Sequence, residues 1–387
     1  MKNAKGTTSS DKVAPANPAA PPFHLDELAR LPDQPATEKV PADIAAALAT
    51  QKLYLTDREG AFNAREHLKY LEGEQGAWEV TLPPAVALGL PGRTSGRLDP
   101  SEVHPEPRRK LIEPFRPAWA EQKYHPTPAE EFTYRSTIRR RDGRIIEPYY
   151  GVYGADDRQV FWPGSYPWRC VGRIFTWNDF SQPNWTWSGS GVLVGPRHVL
   201  TAGHVAPWGS NNWAMRFVPG YWDGASVSGA GASSWVSDFR GWNTNQHVAA
   251  HDISVLRLYD PIGSWLGWMG TKVYDGSWEG GPYWTLAGYP GAVAGANRPS
   301  SQSGIPVLDD DEDGDAMELE HHGDATAGDS GGPFFGFWND GPYAVGTVSG
   351  GETISGGFLG IGNEDNNINA GGNAMVNLVS WARTNWP

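Results

Sequence analysis

Ser330 lies in "GDATAGDSGGP" (Gly323–Pro333), either as a nucleophile on a tight turn or as one residue of a glycine-rich loop. The chain has 48 glycines, so the stretch alone does not decide. Attack on an amide needs more: a base for the hydroxyl proton, a carboxylate to hold that base in the right tautomer, and donors for the developing oxyanion. "SGSGVLVGPRHVLTAGHV" supplies His204, and "AAHDISVLRL" supplies Asp252 at the head of an apolar run. Small residues before Ser330 let the N–H groups of Gly328 and Ser330 face one pocket, and glycine at 328 permits a backbone that a side chain would hinder. "GDSGG" also fits G-x-S-x-G, the elbow of α/β-hydrolases, in which a histidine follows the serine. No histidine follows Ser330, since the last is His322, so that architecture is excluded by chain order.

The elements that must position these residues are short strands. After residue 150, runs such as "CVGRIF", "GVLVG", "ISVLRL" and "YAVGTVSG" alternate with Gly, Asn, Asp and Pro turns, the texture of an all-β barrel or sandwich. Of 19 tryptophans, 17 fall there, and they read as core and groove lining. Met375, Leu378, Val379 and Ala382 lie at helical spacing in "NAMVNLVSWARTNW", which predicts a C-terminal helix packed on the β domain. Before residue 150 the chain differs. Residues 1–40 are rich in Pro, Ala, Ser and Thr and read as largely disordered. Residues 42–73 predict one or two short helices. Residues 80–146 are Pro- and charge-rich, with a basic cluster at Arg139, Arg140 and Arg141.

Bulk properties bound the function. A length of 387 residues suits two units. Residues 1–150 hold 21 basic and 21 acidic residues, and 151–387 hold 10 and 23, so the second part carries the whole −13. That balance disfavours nucleic acid and attracts cationic polypeptide. No run of 18 apolar residues predicts a membrane span, and the start lacks the apolar stretch of a secretory signal. Cys170 is the only cysteine, so no internal disulfide is expected.

"TAGHV", "HDISVLRL" and "GDSGGP" together resemble the trypsin-like serine peptidases, with triad order His204, Asp252, Ser330. "GADDRQV…YPWRCVGRIF" (Gly154–Phe175) and "LAGYPG" (Leu286–Gly291) are similar to the branch of the V8 and glutamyl endopeptidases. The resemblance covers about 150–387. It implies two antiparallel β-barrels of the chymotrypsin-like kind with the site between them, peptide or protein substrates, and no cofactor or metal. It implies a peptidase domain over 151–387, whereas residues 1–145 match nothing in the family and are read as a propeptide with a disordered start or, alternatively, as a partner-binding module. Export is usual in such a family, although no signal is visible here.

The resemblance also suggests finer roles. Asp324 stands where trypsins place the acid at the floor of the primary pocket, with Val348, Ser349 and Gly350 as the opposite wall. That predicts cleavage after Arg or Lys. The alternative, a V8-like glutamate preference, lacks its usual partners, because Ala325 and Val348 stand where a Thr and a His would be. Asp329 stands where trypsins pair an acid with the ammonium released by activation, and Arg144 followed by Ile145 and Ile146 offers a cut. A zymogen matured between 144 and 152 is the expectation. A third reading is a non-catalytic binding protein of the same fold, which typically lacks a triad member.

Other residues have plainer readings. His251, adjoining Asp252, reads as exposed or structural, and His198, His321 and His322 carry no pattern. Cys170 reads as a buried structural thiol. "DDDEDGDAMELE" (Asp309–Glu320) has the register of a twelve-residue calcium loop but no helices around it, and reads as a solvated acidic loop.

Overall fold

The computed structural model describes residues 20–50, 92–101, 103, 111–130, 151–243, 249–354 and 364–387. In chain order its strands begin with β1 (Thr94–Leu98), β2 (Leu111–Ile112), β3 (Thr127–Glu130), β4 (Gln159–Trp162), β5 (Val171–Trp177), β6 (Trp187–Gly195) and β7 (His198–Ala202). There follow β8 (Ala214–Pro219), the short ribbon β9 (Tyr221–Trp222) and β10 (Ala225–Ser226), β11 (Ser234–Trp242), β12 (Ile253–Leu258), β13 (Gly270–Lys272) and β14 (Trp284–Gly288). The last are β15 (Ser300–Ile305), β16 (Asp309–Asp313), β17 (Ala316–His321), β18 (Pro333–Trp338), β19 (Gly341–Ile354) and β20 (Glu364–Gly371).

The architecture is mostly β, as expected. One sheet runs β11-β12-β7-β6-β5-β8 and closes through β8 onto β11, giving a six-stranded barrel. Closure removes the edges that a strand-rich chain would otherwise expose. Val192, Leu193, Val199, Leu200, Val255 and Leu256 of its strands are all buried. The other sheet has eleven strands along β16-β17-β20-β19-β18-β14-β15-β4-β3, with β13 on β19 and β2 on β13. Its core is aromatic: Trp284 stacks on Phe334, and Trp278 and Trp338 meet Trp284 at tilted angles and each other edge-on. The helix Gly372–Asn385 buries Met375, Leu378, Val379 and Ala382, the stripe read from the sequence.

The N-terminal region departs from its compositional reading. Residues 20–40 dock on the second sheet instead of standing off it. Phe23 N–H donates to the Phe337 carbonyl at 2.8 Å, and the Trp338 indole N–H donates to the Ala20 carbonyl at 2.8 Å. Leu25–Leu28 form one helical turn, and Ala42–Ala49 form a helix where one was predicted. Three strands were not foreseen: β1 pairs in parallel with β11, whereas β2 pairs antiparallel with β13 and β3 antiparallel with β4. Main-chain pairing to a sheet edge requires no apolar alternation, so "TSGRL" gives little sequence signal. The start of the chain, the predicted helical stretch after residue 50, Arg139–Arg141 and the bond after Arg144 lie outside the described residues.

The acidic run is a β-hairpin. Asp309 pairs with Glu320 and Asp313 with Ala316, and Gly314 takes φ +63° at the two-residue turn. An extended hairpin spreads the carboxylates that a calcium loop would converge. Among the described residues no group of three or more His, Cys, Asp or Glu could hold a metal ion. No described helix is long and apolar enough to cross a membrane.

Candidate active site

His204 follows β7 in a single 3₁₀ turn, Gly203–Val205, and Asp252 lies between a second such turn, Ala249–His251, and β12. Strands β7 and β12 are hydrogen-bonded neighbours, with Ala202 opposite Ile253, so the two residues leave the barrel side by side. Asp252 Oδ1 accepts the His204 main-chain N–H at 2.8 Å, and Oδ2 lies 2.6 Å from His204 Nδ1. An ionised carboxylate only accepts, so Nδ1 carries the proton and Nε2 offers its lone pair. Burial works against a charged His204, but the hydrogen bond and the charge of Asp252 outweigh it and raise the imidazole above 6.5. The imidazole remains 46% exposed, enough to exchange protons with solvent.

A third group holds the carboxylate from the other sheet. Ser349 Oγ donates to Asp252 Oδ2 at 2.8 Å. It reaches across because β19 is irregular there: Val348 pairs with Asn369 and Gly350 with Ile368, leaving Ser349 as the extra residue. A bulge of this kind re-aims one side chain. Ser349 was expected on a substrate wall, and its side chain contacts Asp252. Val348 is buried, and it anchors the nucleophile turn through its own N–H to the Gly332 carbonyl (2.9 Å) and its carbonyl to Gly331 N–H (2.8 Å). Gly350 fronts open space, since a Cβ there would meet nothing within 4 Å.

Ser330 sits on the turn before β18, against the end of the barrel. Its carbonyl accepts Ser190 N–H at 2.8 Å. A Cβ at Gly189 would lie 2.8 Å from Val205 and 3.0 Å from the Ser330 carbonyl, so the serine turn and the histidine turn are adjacent. The donors follow from peptide planarity. The Ala327 carbonyl accepts Gly291 N–H at 2.8 Å, and the Asp329 carbonyl accepts Gly332 N–H at 2.7 Å. In a trans peptide the N–H points opposite to the carbonyl, so the N–H groups of Gly328 and Ser330 face away from those bonds. Among the described residues the Gly328 N–H meets no protein acceptor. Gly328 takes φ +107°, and a Cβ there would come within 2.5 Å of the Tyr289 carbonyl, so only glycine fits. Ser190 was not singled out in the sequence, yet its Oγ donates to the Gly328 carbonyl at 2.7 Å and accepts Tyr289 N–H at 2.8 Å.

Asp324 faces a strap formed by residues 151–158. Its Oδ1 accepts Tyr153 N–H at 2.9 Å and its Oδ2 accepts Asp157 N–H at 2.8 Å. The residue is fully buried, and burial raises its carboxyl above the usual range against those two bonds. Asp329 is also fully buried. Its Oδ2 accepts Arg158 Nη1 at 2.9 Å and Thr326 N–H at 3.0 Å. Burial pushes this carboxyl up to about 6, against the pull of Arg158. Arg158 is the other functional residue that sequence reasoning missed, although "GADDRQV" was quoted for its resemblance.

Three other histidines singled out in the sequence make structural contacts. His321 stacks on Phe334 and accepts Gly323 N–H at 2.9 Å, and burial lowers its pKa to about 4. His198 stacks on Trp386 with its pKa likewise lowered to about 4 by burial. His251 approaches Asp313 of the acidic hairpin at 3.4 Å. Cys170 is buried, which pushes its thiol up to about 12.

Comparison with known proteins places this arrangement. The family model Trypsin matches residues 163–364, just over half of the chain. A curated relative from Bacillus subtilis (strain 168), described as an extracellular metalloprotease, is 25% identical over 144 residues. The match spans 36% of this chain and 44% of the relative, so less than half of that protein's length is represented. Among solved structures, a Glu endopeptidase in complex with MPD is similar at 19% identity and TM-score 0.46, over 60% of this chain and 100% of that one. The protease Anisep from Arthrobacter nicotinovorans is similar at 19% identity and TM-score 0.42, over 58% of this chain and 99% of that one.

Proposed function

The chain belongs to the trypsin family, and from that premise we propose that it is a serine endopeptidase working through His204, Asp252 and Ser330. The observation that carries the proposal is the Asp252 clamp on His204, on a turn adjacent to the one that carries Ser330. In the proposed mechanism, Ser330 Oγ attacks the scissile carbonyl while His204 Nε2 takes its proton. Asp252 stabilises the imidazolium, and Ser349 and the His204 N–H hold Asp252. The oxyanion is received by the N–H groups of Gly328 and Ser330. His204 then returns the proton to the leaving amine, and water repeats the sequence on the acyl-enzyme. A non-catalytic binding protein is disfavoured because all three triad positions are filled.

We propose to revise two finer parts of the reading. Cleavage after Arg or Lys would need Asp324 to face the cleft, whereas both of its oxygens are held by the strap. We therefore propose a primary preference not set by Asp324, and a peptide-library profile dominated by Arg or Lys would refute that. The propeptide reading of residues 1–145 changes as well. Its described part lends β1, β2 and β3 to the two sheets, which supports a built-in scaffold over a discarded segment.

The function is tested by Ser330→Ala. Turnover of a library-selected peptide should fall by roughly 10⁴-fold or more with thermal unfolding unchanged, because the triad acts as a unit. Retention of a tenth of wild-type activity would exclude the mechanism.

A further inference from the structure

The turn that carries Ser330 is held by a charge cluster with an unusual balance. Arg158 is fully buried in its side chain, as is Asp329. Arg158 Nη1 donates both to Asp329 Oδ2 (2.9 Å) and to Thr326 Oγ1 (2.8 Å). The other edge of the guanidinium is fixed by Asp156, with Nε to Oδ1 at 2.9 Å and Nη2 to Oδ2 at 2.7 Å. This is a bidentate pair that leaves the planar group one orientation. Burial disfavours the charged guanidinium, but the bond to Asp156 and the attraction of Asp329 and Asp156 overcome this and keep Arg158 charged.

Asp329 depends on that charge. Its Oδ1 is buried without a hydrogen-bond partner, and a Cβ at Gly288 would come within 2.5 Å of it, so the wall of β14 is bare there to admit the oxygen. Arg158 is therefore the only cation placed against this carboxylate among the described residues. Asp329 in turn shapes the turn on both sides. Its Oδ2 accepts Thr326 N–H, its main-chain N–H donates to the Thr326 carbonyl at 2.9 Å, and its carbonyl is bonded to Gly332 N–H. Those bonds set the peptide planes whose N–H groups face the proposed oxyanion. The strap is fastened independently of the guanidinium: Ala325 N–H donates to the Gly151 carbonyl at 3.1 Å, and Asn367 bonds the Gly151 N–H and carbonyl at 2.8 Å each.

We propose that Arg158 is the positioning residue of the oxyanion-binding turn, an internal guanidinium that fixes Asp329 in the uncut chain. The turn then needs no ammonium generated by cleavage between residues 144 and 152, in contrast to the sequence expectation for Asp329. The inference rests on the peptidase reading, and it makes a separate claim. Ser330 supplies the chemistry, whereas Arg158 touches neither substrate nor reacting atoms and acts through Asp329 on the N–H groups of Gly328 and Ser330.

The test uses the full chain, Arg158→Gln and Arg158→Lys. Reactive sites are counted by titration with a serine-directed phosphonate, and kcat and KM are measured per titrated site on one peptide. The intact mass of the labelled wild-type chain is recorded in parallel. Loss of one oxyanion donor typically costs about 10²–10³-fold in kcat. Arg158→Gln should show a loss of that order with KM within about threefold, and Arg158→Lys should recover at least about tenfold of it. The labelled wild-type chain should retain Met1. If Arg158→Gln does not fold, Asp156→Asn replaces it, since freeing the guanidinium's other edge should lower kcat by about tenfold at unchanged KM. The proposal is overturned if the variant that folds keeps wild-type kcat per site, if it loses only titratable sites, or if only chains cut between 144 and 152 take the label. An inactive wild type that no phosphonate labels would instead overturn the peptidase reading, and this inference with it.

Discussion

The two halves of the site are built on opposite principles. The barrel contributes His204 and Asp252, whose side chains are 46% and 19% exposed. The second sheet contributes a turn braced by Arg158 and Asp329, both with fully buried side chains. A base must exchange protons with its surroundings, so it lies at the mouth of the cleft on a short, direct clamp. A donor pair must not move, so it is set by main-chain bonds and a charge pair away from water. The halves are also cross-linked: Ser349 of the second sheet bonds Asp252, while Ser190 of the barrel bonds the Gly328 carbonyl. Substitutions of the exposed pair should therefore change chemistry with little effect on stability, and those of the buried groups that brace the turn should change both.

The largest effect should come from the exposed half. His204→Ala is expected to reduce kcat/KM by roughly 10⁴-fold or more while the melting temperature stays within about 2 °C. A large fall in melting temperature would break the contrast. Asp252→Asn should cost a similar factor, roughly 10⁴-fold, by presenting the wrong tautomer.

In the buried half, Gly328→Ala should lower kcat by about 10²–10³-fold and also lower the melting temperature, since the added Cβ meets the Tyr289 carbonyl. Normal melting with normal kcat would show that the turn is softer than its bonds suggest. Deleting residues 1–145 should lower the melting temperature by about 5 °C or more, because β1 to β3 leave both sheets. An unchanged melting curve would restore the propeptide reading.

Much of this contrast was legible in the sequence, but unequally. The proposed triad could be read because its chemistry demands particular residue types and each fold brings them together in its own chain order, and the closing helix because its apolar stripe faces the core. Arg158 could not, since its partner Asp329 lies 171 residues away and a lone arginine after two aspartates has no local signature. Asp324 was read as the floor of the primary pocket, but the groups bonded to its carboxylate are main-chain N–H groups, which no side-chain pattern reveals. Strands β1 to β3 were hidden for the same reason. The acidic run was read as a solvated loop and is a hairpin, because five consecutive carboxylates carry no period-two pattern from which a strand can be read.

A smaller prediction sharpens the exposed half. Asp252 raises the His204 pKa above 6.5, and the base must be neutral to act. Activity should fall as pH drops through that raised value. Stability follows the opposite sign: the contribution of the protonated pair is fully present below the unfolded pKa and is lost as pH rises through the folded one. Ser349→Ala, removing one bond to Asp252, should cost about tenfold in kcat. An unchanged kcat would confine the Ser349 contact to packing.

The most direct test is where a serine-directed phosphonate attaches and how fast. Peptide mapping should place the label on Ser330, with the rate near pH 8 reduced by about 10³-fold or more in His204→Ala. Label on another residue, or an undiminished rate without His204, would contradict the account.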